Sequence, residues 1–276
     1  ISKKNIERYD AAVLDFNMGI EISPEESEGY RLRGETYLLL GKNIDYSFSR
    51  GYFKNKFETQ QLDCAYSNFD LETIEDFETL KTSGHAISGL NVTIPYKEAI
   101  IPFLDAMDSD AQAIGAVNTI KIENGKLTGY NTDHFGFENS LKPYLKPQHK
   151  KALILGTGGA SKAIAFALKK LGIPYDYVSR TPSDGIKHTY ESIAKDGLKG
   201  YQIIINSTPI GTFPDLHACP ALPYETLTAN HLLFDLIYNP EQTLFLKKGK
   251  MQKATTLNGL EMLRLQAEKS WEIWNS

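Results

Sequence analysis

Short apolar runs alternate with amphipathic segments along the chain from about residue 35 onward. Apolar runs of this length, bounded by polar residues, glycine or proline, are typical of buried β-strands. Within residues 161–171, Ile164, Ala167, Leu168 and Leu171 recur at the three- and four-residue spacing of a helix with one buried face. The alternation predicts an α/β fold with mainly parallel sheets. The predicted strands are Thr36–Leu40, Ser88–Val92, Thr119–Ile122, Ala152–Leu155, Tyr175–Val178, Gln202–Asn206 and Leu232–Leu236.

The opening of the chain follows another pattern, in which Ala12 precedes Phe16 by four residues and Tyr30 precedes Tyr37 by seven. This order resembles the tetratricopeptide repeat, whose small and aromatic residues let two antiparallel helices pack closely. Fewer than two repeats are present, so we expect a helical segment at 1–34 that buries its apolar face only against a neighbour. A hairpin without a binding role is the favoured interpretation, and a protein contact is the alternative. The repeat would place helix at 36–40, where we favour the strand.

Composition limits the classes of function. The chain has 276 residues, of which 41% are hydrophobic and 23% charged, enough for about two domains of ordinary size. A formal net charge of -4 without a long basic run argues against nucleic acid as a partner. Cys64 and Cys219 lack the spacing of a disulfide framework or a zinc site, which favours a reducing cytoplasm and no metal. The apolar runs are shorter than the roughly 18 residues of a membrane span.

A glycine-rich turn joins a predicted strand to the amphipathic helix at KALILGTGGASKAIAFALKKLG, which begins at Lys151. Gly156 and Gly158 permit a tight turn, so that helix amides and the positive end of the helix dipole can hold a pyrophosphate. A plain tight turn is the alternative, and Ala160 stands where the usual motif seeks a third glycine. The context favours dinucleotide binding. The residues assigned to it are Gly156, Thr157, Gly158, Gly159 and Ala160.

The end of the following strand separates the two nicotinamide cofactors. An acidic residue there binds a ribose 2′-hydroxyl, whereas a basic residue accommodates a 2′-phosphate. Ser179, Arg180 and Thr181 follow the strand, and the guanidinium of Arg180 suits a phosphate. Asp176 is the rival, but it lies inside the predicted strand. The sequence therefore predicts NADP.

Lys97 and Asp133 are the best candidates for catalysis. A dehydrogenase that moves hydride to a ketone must also deliver a proton to the developing alkoxide. A lysine close to a carboxylate can donate that proton and stabilise the charge. Each residue alone would more often be a surface ion.

Ser47 and Ser49 are two residues apart on a segment that we expect to be extended. On an extended segment their side chains would point to the same side and could both bind one carboxylate. Without further information, ordinary turn chemistry is the commoner role of such a pair.

Several motifs occur in an order that resembles the shikimate dehydrogenase family, over about residues 37–274. The resemblance implies an NADPH-dependent oxidoreductase that reduces 3-dehydroshikimate to shikimate. A quinate/shikimate-type dehydrogenase using NAD is the nearest alternative, and a nucleotide-binding interaction protein with residual activity is a more distant one. The motifs are GKNIDYSFSR, GLNVTIPYKE, GAVNT, GYNTDHFGF, GTGGASKA, NSTPIG and NGLEMLRLQA.

The resemblance assigns roles to particular residues. It places Lys97 and Asp133 at the substrate carbinol, and Ser47 and Ser49 at the substrate carboxylate. Asn258 stands where the family more often has aspartate. The ring hydroxyls would be bound by Thr93, Asn118, Tyr238 and Gln266. The nicotinamide side of the cofactor would lie near Asn206, Ser207, Thr208 and Gly259.

The expected organisation has three parts. A helical segment at 1–34 precedes a substrate-binding catalytic domain at 35–132, which the C-terminal helix at 259–276 completes. Residues 133–258 form a Rossmann-like NADP-binding domain. The expected partner is the small-molecule substrate, without nucleic acid, membrane or metal.

Overall fold

The computed structural model describes residues 35–45, 47–82, 87–181 and 188–276. The predicted repeat-like helical segment at 1–34, with its suggested protein contact, lies outside the described residues. Within the described ranges, no helix is both long enough and apolar enough to cross a membrane.

Two compact units make up the described chain. The first contains the residues up to Gln112, together with Val117–Tyr130 and Glu272–Ser276. The second contains Ala113–Ala116 and Asn131–Trp271. The C-terminal helix is therefore shared, since its last residues belong to the first unit.

The first unit is built on a mixed sheet with the strand order β2-β1-β3-β5-β6-β4. The neighbours β2, β1 and β3 are parallel, whereas β5 is antiparallel to both β3 and β6. The strands are β1 (Glu35–Gly41), β2 (Cys64–Asp70), β3 (Ile87–Val92), β4 (Ala106–Met107), β5 (Thr119–Glu123) and β6 (Lys126–Tyr130). The helices are α1 (Phe48–Gln60), α2 (Phe77–Thr82) and α3 (Ser109–Ile114), the last of which ends in the second unit.

Strand β1 is apolar and buried from Tyr37 to Leu40, because both of its faces are covered there. On one face Leu38 and Leu40 join a core that includes Phe77. On the other face Tyr37 stacks on Trp274, with ring centroids 4.6 Å apart. The Trp274 indole also donates to a backbone oxygen of β5, which ties the end of the chain to this sheet.

The second unit is built on a parallel sheet with the strand order β12-β11-β10-β7-β8-β9. This is the strand order of the dinucleotide-binding fold. Successive strands are added outward on one side of β7 and then, from β10 onward, on its other side, so the strand order reverses between β7 and β10. The strands are β7 (Ala152–Leu155), β8 (Tyr175–Ser179), β9 (His188–Thr189), β10 (Ile203–Asn206), β11 (Leu232–Asp235) and β12 (Thr255–Leu257). The helices are α4 (Asp133–Leu141), α5 (Gly159–Lys170), α6 (Tyr190–Asp196), α7 (Leu244–Met251) and α8 (Leu260–Trp274).

Both faces of this parallel sheet are buried, as its continuous apolar strands require. Ile154 of β7 belongs to a core with residues of α4, α5 and α8. The next residue, Leu155, faces the opposite core with residues of α6 and α7. The period of two along the strand therefore distributes the apolar side chains to both layers.

The predicted architecture is confirmed. All seven predicted strands are present within one residue at either end, and residues 36–40 form strand rather than helix. The predicted helix at 161–171 occurs as α5. Five strands were not predicted. In β2 and β6 polar residues interrupt the apolar pattern, and β4, β9 and β12 have only two or three residues each.

Candidate active site

The glycine-rich turn follows β7 directly and leads into α5. Gly156 has φ of +103°, a value that L side chains rarely adopt. A side chain there would also lie 3.0 Å from atoms of Ser207 and Thr208. Glycine at 156 thus lets the turn approach the loop that follows β10, across the point where the strand order reverses.

The start of α5 is suited to an anion. The Gly158 carbonyl accepts hydrogen bonds from the backbone N–H groups of Ser161 and Lys162. The first amides of the helix have no partner inside the helix, and the helix dipole is positive at this end. No described atom lies within 4 Å of a Cβ built on Gly158, so open space adjoins the turn. These residues fit a pyrophosphate.

The end of β8 presents a cation to solvent. Arg180 is exposed and makes no ion pair with a described residue. Beside it, the Ser179 hydroxyl accepts a hydrogen bond from the Thr181 amide at 3.3 Å, which shapes the turn. The guanidinium is therefore available to a phosphate.

Asp176, the rival residue for a ribose hydroxyl, is engaged elsewhere. Its carboxylate lies 2.6 Å from the Lys151 ammonium and accepts a hydrogen bond from the Tyr201 hydroxyl at 2.5 Å. It stands in the second position of β8, away from the carboxyl end of that strand. Asp176 is therefore engaged within the second unit, whereas Arg180 is exposed.

The loop after β10 is held by side chains. The Asn206 Oδ1 accepts hydrogen bonds from the amide and the hydroxyl of Thr208 at 3.1 and 2.6 Å. The Ser207 hydroxyl donates to the Leu155 carbonyl at 2.6 Å. The loop assigned to the nicotinamide side is therefore fixed both to itself and to β7.

A fully buried carboxylate stands beside this loop at the end of β11. Asp235 accepts hydrogen bonds from the Asn206 side chain, the Thr243 hydroxyl and the Ile237 amide. Burial raises the pKa of the Asp235 carboxyl to about 6, against the opposing effect of these three hydrogen bonds. Asp235 was not predicted as a site residue.

Gly259 is required by close packing at the start of α8. A side chain at 259 would overlap the backbone oxygen of Leu236, and the Gly259 amide donates to the Ile237 carbonyl at 3.1 Å. Asn258 performs the capping role that an aspartate would have, since its Oδ1 accepts from the Leu260 amide. Tyr238, which directly follows Ile237 in the loop after β11, is partly buried.

Asp133 is the first residue of α4 and is 5% exposed. Asn131 positions it, because the Asn131 Oδ1 accepts from the Asp133 amide and the Nδ2 donates to the Ala116 carbonyl. The positive end of the α4 dipole favours a negative charge at this position. Gln266 of α8 contacts the same segment, with its Oε1 3.3 Å from the Thr132 hydroxyl.

Lys97, Thr93 and Asn118 are placed by the end of β3 in the first unit. The Lys97 carbonyl accepts from the Val117 amide at 2.7 Å, and the Asn118 carbonyl accepts from the Val92 amide at 2.9 Å. Lys97 is partly buried and Asn118 is buried. The structure thus links the segments that carry these three residues.

Ser47 and Ser49 do not lie on an extended segment, so that expectation was wrong. Ser47 is the N-cap of α1, where its hydroxyl accepts from the Arg50 amide, and Ser49 lies in the first turn. A serine before a helical run favours helix initiation, because its side chain satisfies an unpaired amide. Both hydroxyls consequently belong to the positive end of a 13-residue helix, which also suits a carboxylate.

A buried chain of hydrogen bonds connects Tyr66 with Asn118. The Tyr66 hydroxyl donates to the Asn91 Oδ1 at 2.7 Å, and the partly buried Ser49 side chain interacts with the same hydroxyl. The Asn91 amide donates to the Asn118 carbonyl and to the Thr119 hydroxyl, both at 3.2 Å. Burial raises the pKa of Tyr66, so this link remains neutral.

The chain is similar to known proteins in sequence and in structure. The family model of the shikimate dehydrogenase substrate binding domain matches residues 39–120. The chain is 36% identical over 263 residues to the NADP-dependent shikimate dehydrogenase of Methanosphaera stadtmanae, covering 88% of this chain and 93% of that one.

Two solved structures are also similar to this chain over most of its length. The shikimate 5-dehydrogenase of Thermus thermophilus, in complex with NADP(H) and shikimate, aligns with a TM-score of 0.77 at 32% identity, covering 87% of this chain and 93% of that one. A quinate dehydrogenase from Corynebacterium glutamicum in complex with NAD aligns with a TM-score of 0.77 at 26% identity, with the same coverage of the two chains.

The raised pKa of Asp235 predicts an unusual dependence of stability on pH. Because its folded value of about 6 exceeds the ordinary 3.8, the folded protein takes up this proton at a higher pH than the unfolded chain does. The contribution of this group to the free energy of unfolding should rise by about 1 kcal/mol as the pH falls from 7 to 5. Urea unfolding of the wild type and of Asp235→Asn at pH 7, 6 and 5 measures it. The wild type should gain relative to the variant, and a constant difference would contradict the assignment.

Proposed function

We propose a specific role for each site residue of this chain, which belongs to the shikimate dehydrogenase family. The chain is an NADP-dependent shikimate dehydrogenase, which reversibly reduces 3-dehydroshikimate to shikimate. Family membership carries this conclusion, and the glycine-rich turn at Gly156 is the structural feature that accords with it most directly.

The cofactor would be held at the carboxyl ends of the parallel strands. The amides that start α5 bind the pyrophosphate, and the glycines at 156 and 158 let it approach the backbone. Arg180, with Ser179 and Thr181, binds the 2′-phosphate. The loop from Asn206 to Thr208 and Gly259 lie on the nicotinamide side. When bound, the nicotinamide supplies or accepts the hydride.

The substrate carboxylate would be bound by Ser47 and Ser49 at the start of α1. Two hydroxyls and the positive end of a helix can stabilise the negative charge of a carboxylate without a cationic side chain. Thr93, Asn118, Tyr238 and Gln266 bind the ring hydroxyls. The interaction of the Ser49 side chain with Tyr66, which is hydrogen-bonded through Asn91 to Asn118, supports this part of the proposal, because it relates the start of α1 to Asn118.

Lys97 and Asp133 would handle the proton. During reduction, Lys97 donates a proton to the oxygen of the C3 carbonyl as hydride reaches the carbon. Asp133 orients the ammonium, and it accepts a hydrogen bond from the same carbinol. During oxidation the proton returns along the same path.

The proposed domain limits follow these roles. Residues 35–132, completed by the helix at 259–276, carry most of the groups that bind substrate. Residues 133–258 carry the groups that bind NADP.

Lys97→Ala should lower turnover by about two to four orders of magnitude, the usual range for a positioned acid or base. The Michaelis constant for shikimate should change much less, because the lost interaction acts mainly in the transition state. Steady-state kinetics with shikimate and NADP test this, with Lys126→Ala, an exposed lysine of β6, as the control. Near-normal turnover in folded Lys97→Ala would remove Lys97 from the mechanism.

Arg180→Ala should weaken NADP binding by about 1.5 to 3 kcal/mol, the scale of a hydrogen bond to a charged group. NAD lacks the 2′-phosphate, so its binding should change little. The measurement is the ratio of kcat/KM for the two cofactors before and after substitution. Lys195→Ala, which removes an exposed cation from α6, is the control. An equal fall with both cofactors would show that Arg180 supports the fold or the pyrophosphate site instead.

A further inference from the structure

Asp235 gathers hydrogen bonds from three separate segments of the second unit. Its Oδ1 accepts from the Asn206 Nδ2 at 3.0 Å and from the Ile237 amide at 3.1 Å. Its Oδ2 accepts from the Thr243 hydroxyl at 2.6 Å. The side chain is fully buried, so these donors replace water around the carboxylate.

Each donor controls a different piece of the candidate site. Asn206 holds Thr208 through its Oδ1, and thereby fixes the loop assigned to the nicotinamide side. Ile237 immediately precedes Tyr238, and its carbonyl accepts from the Gly259 amide. Thr243 caps α7, since its hydroxyl accepts from the Leu246 amide at 3.3 Å.

We propose that Asp235 is a positioning residue, whose carboxylate holds the Asn206–Thr208 loop and the turn before Tyr238 in the geometry that binds the nicotinamide end of the cofactor. This inference rests on the proposed function, which assigns those two loops to cofactor and substrate. Asp235 itself touches neither ligand in this account.

The sheet does not need this carboxylate for its own pairing. Asn206 and Asp235 are already register partners in the parallel ladder of β10 and β11, through their backbones. Replacing buried polar groups with apolar ones of similar size is often neutral or stabilising. A buried carboxylate whose burial opposes ionisation therefore points to positional control of the loops rather than to stability of the fold.

The hydrogen-bond pattern predicts which substitutions are tolerated. Asparagine at 235 can accept from Asn206 and Ile237 through its oxygen and donate to the Thr243 hydroxyl, which is able to act as an acceptor. Alanine can accept from none of them. The Asn206 amide keeps its bond to the Ile210 carbonyl, but the Ile237 amide and the Thr243 hydroxyl lose the acceptor that Asp235 provides. Asp235→Asn should therefore retain most of the function, and Asp235→Ala should not.

The first experiment measures NADPH binding by fluorescence titration, together with kcat for shikimate oxidation. Asp235→Ala should raise the Kd for NADPH by about tenfold, the scale of a lost charge-assisted hydrogen bond. It should also lower kcat by about tenfold to a hundredfold, because a displaced loop misaligns the reacting atoms. Asp235→Asn should stay within about threefold of the wild type in both quantities.

Asp176→Ala is the matched control, because it removes another carboxylate with hydrogen-bonded partners from the same sheet, at the amino end of its strand. It should lower stability without changing the Kd for NADPH. If Asp235→Ala behaves in the same way, with reduced stability but unchanged Kd and kcat, the proposal is wrong. Equal losses in Asp235→Ala and Asp235→Asn would also overturn it.

Asn206→Asp provides a second test that keeps the side-chain volume if Asp235→Ala does not fold. It places a second carboxylate against Asp235, and the pair must share a proton to restore the contact. The Kd for NADPH, divided by that of the wild type at the same pH, should be about tenfold at pH 8 and approach one at pH 5.5. Tyr224, the titratable side chain that interacts with Asp235, stays neutral because burial raises its pKa. A ratio near one at both pH values would overturn the proposal.

Failure of this inference is distinguishable from failure of the proposed function. If the wild type does not oxidise shikimate with NADP, the proposed function fails, whereas the NADPH titrations of the variants still report on Asp235. If the wild type is active and Asp235→Ala binds NADPH normally with unchanged kcat, only the role of Asp235 is lost.

Discussion

The nucleotide-binding half of the molecule depends on one close approach, between the turn at Gly156 and the loop that starts at Asn206. Glycine suits this approach, because φ at 156 is +103° and a Cβ there would lie 3.0 Å from side-chain atoms of Ser207 and Thr208. It occurs where the strand order of the parallel sheet reverses, between β7 and β10, which is where such sheets bind ligands. The start of α5 and the Asn206 loop both adjoin this point, and Asp235 is hydrogen-bonded to Asn206.

In the first unit, small hydroxyl and amide groups are positioned on a mixed sheet. A buried chain of hydrogen bonds runs from Tyr66 through Asn91 to the Asn118 carbonyl, and the Ser49 side chain interacts with the Tyr66 hydroxyl. Tyr66 stacks on Phe53 of α1 at 4.7 Å, so the same ring that carries the hydroxyl also packs the helix onto the sheet. Packing and polar positioning are therefore carried by one side chain, and changes in either should affect both.

The sequence predicts most of the fold, because buried parallel strands are written as continuous apolar runs and α5 as a strict helical repeat. It also predicts the glycine-rich turn and Arg180, since each depends on local order along the chain. The helical placement of Ser47 and Ser49 was missed, although a serine before a helical run is a recognisable N-cap. Asp235 left a weak signal, a carboxylate within an apolar strand, but its three donors come from distant positions. Such a network arises only when the chain is folded, so a local pattern does not reveal it.

The central claim is that these residues form the site of an NADP-dependent shikimate dehydrogenase, in which Arg180 replaces the acidic residue typical of NAD sites. Initial rates of oxidation of shikimate and of quinate, each with NADP and with NAD, test it most directly. The value of kcat/KM should be highest for shikimate with NADP, and lower whenever either component is exchanged. A highest value for quinate with NAD would contradict this assignment of substrate and cofactor.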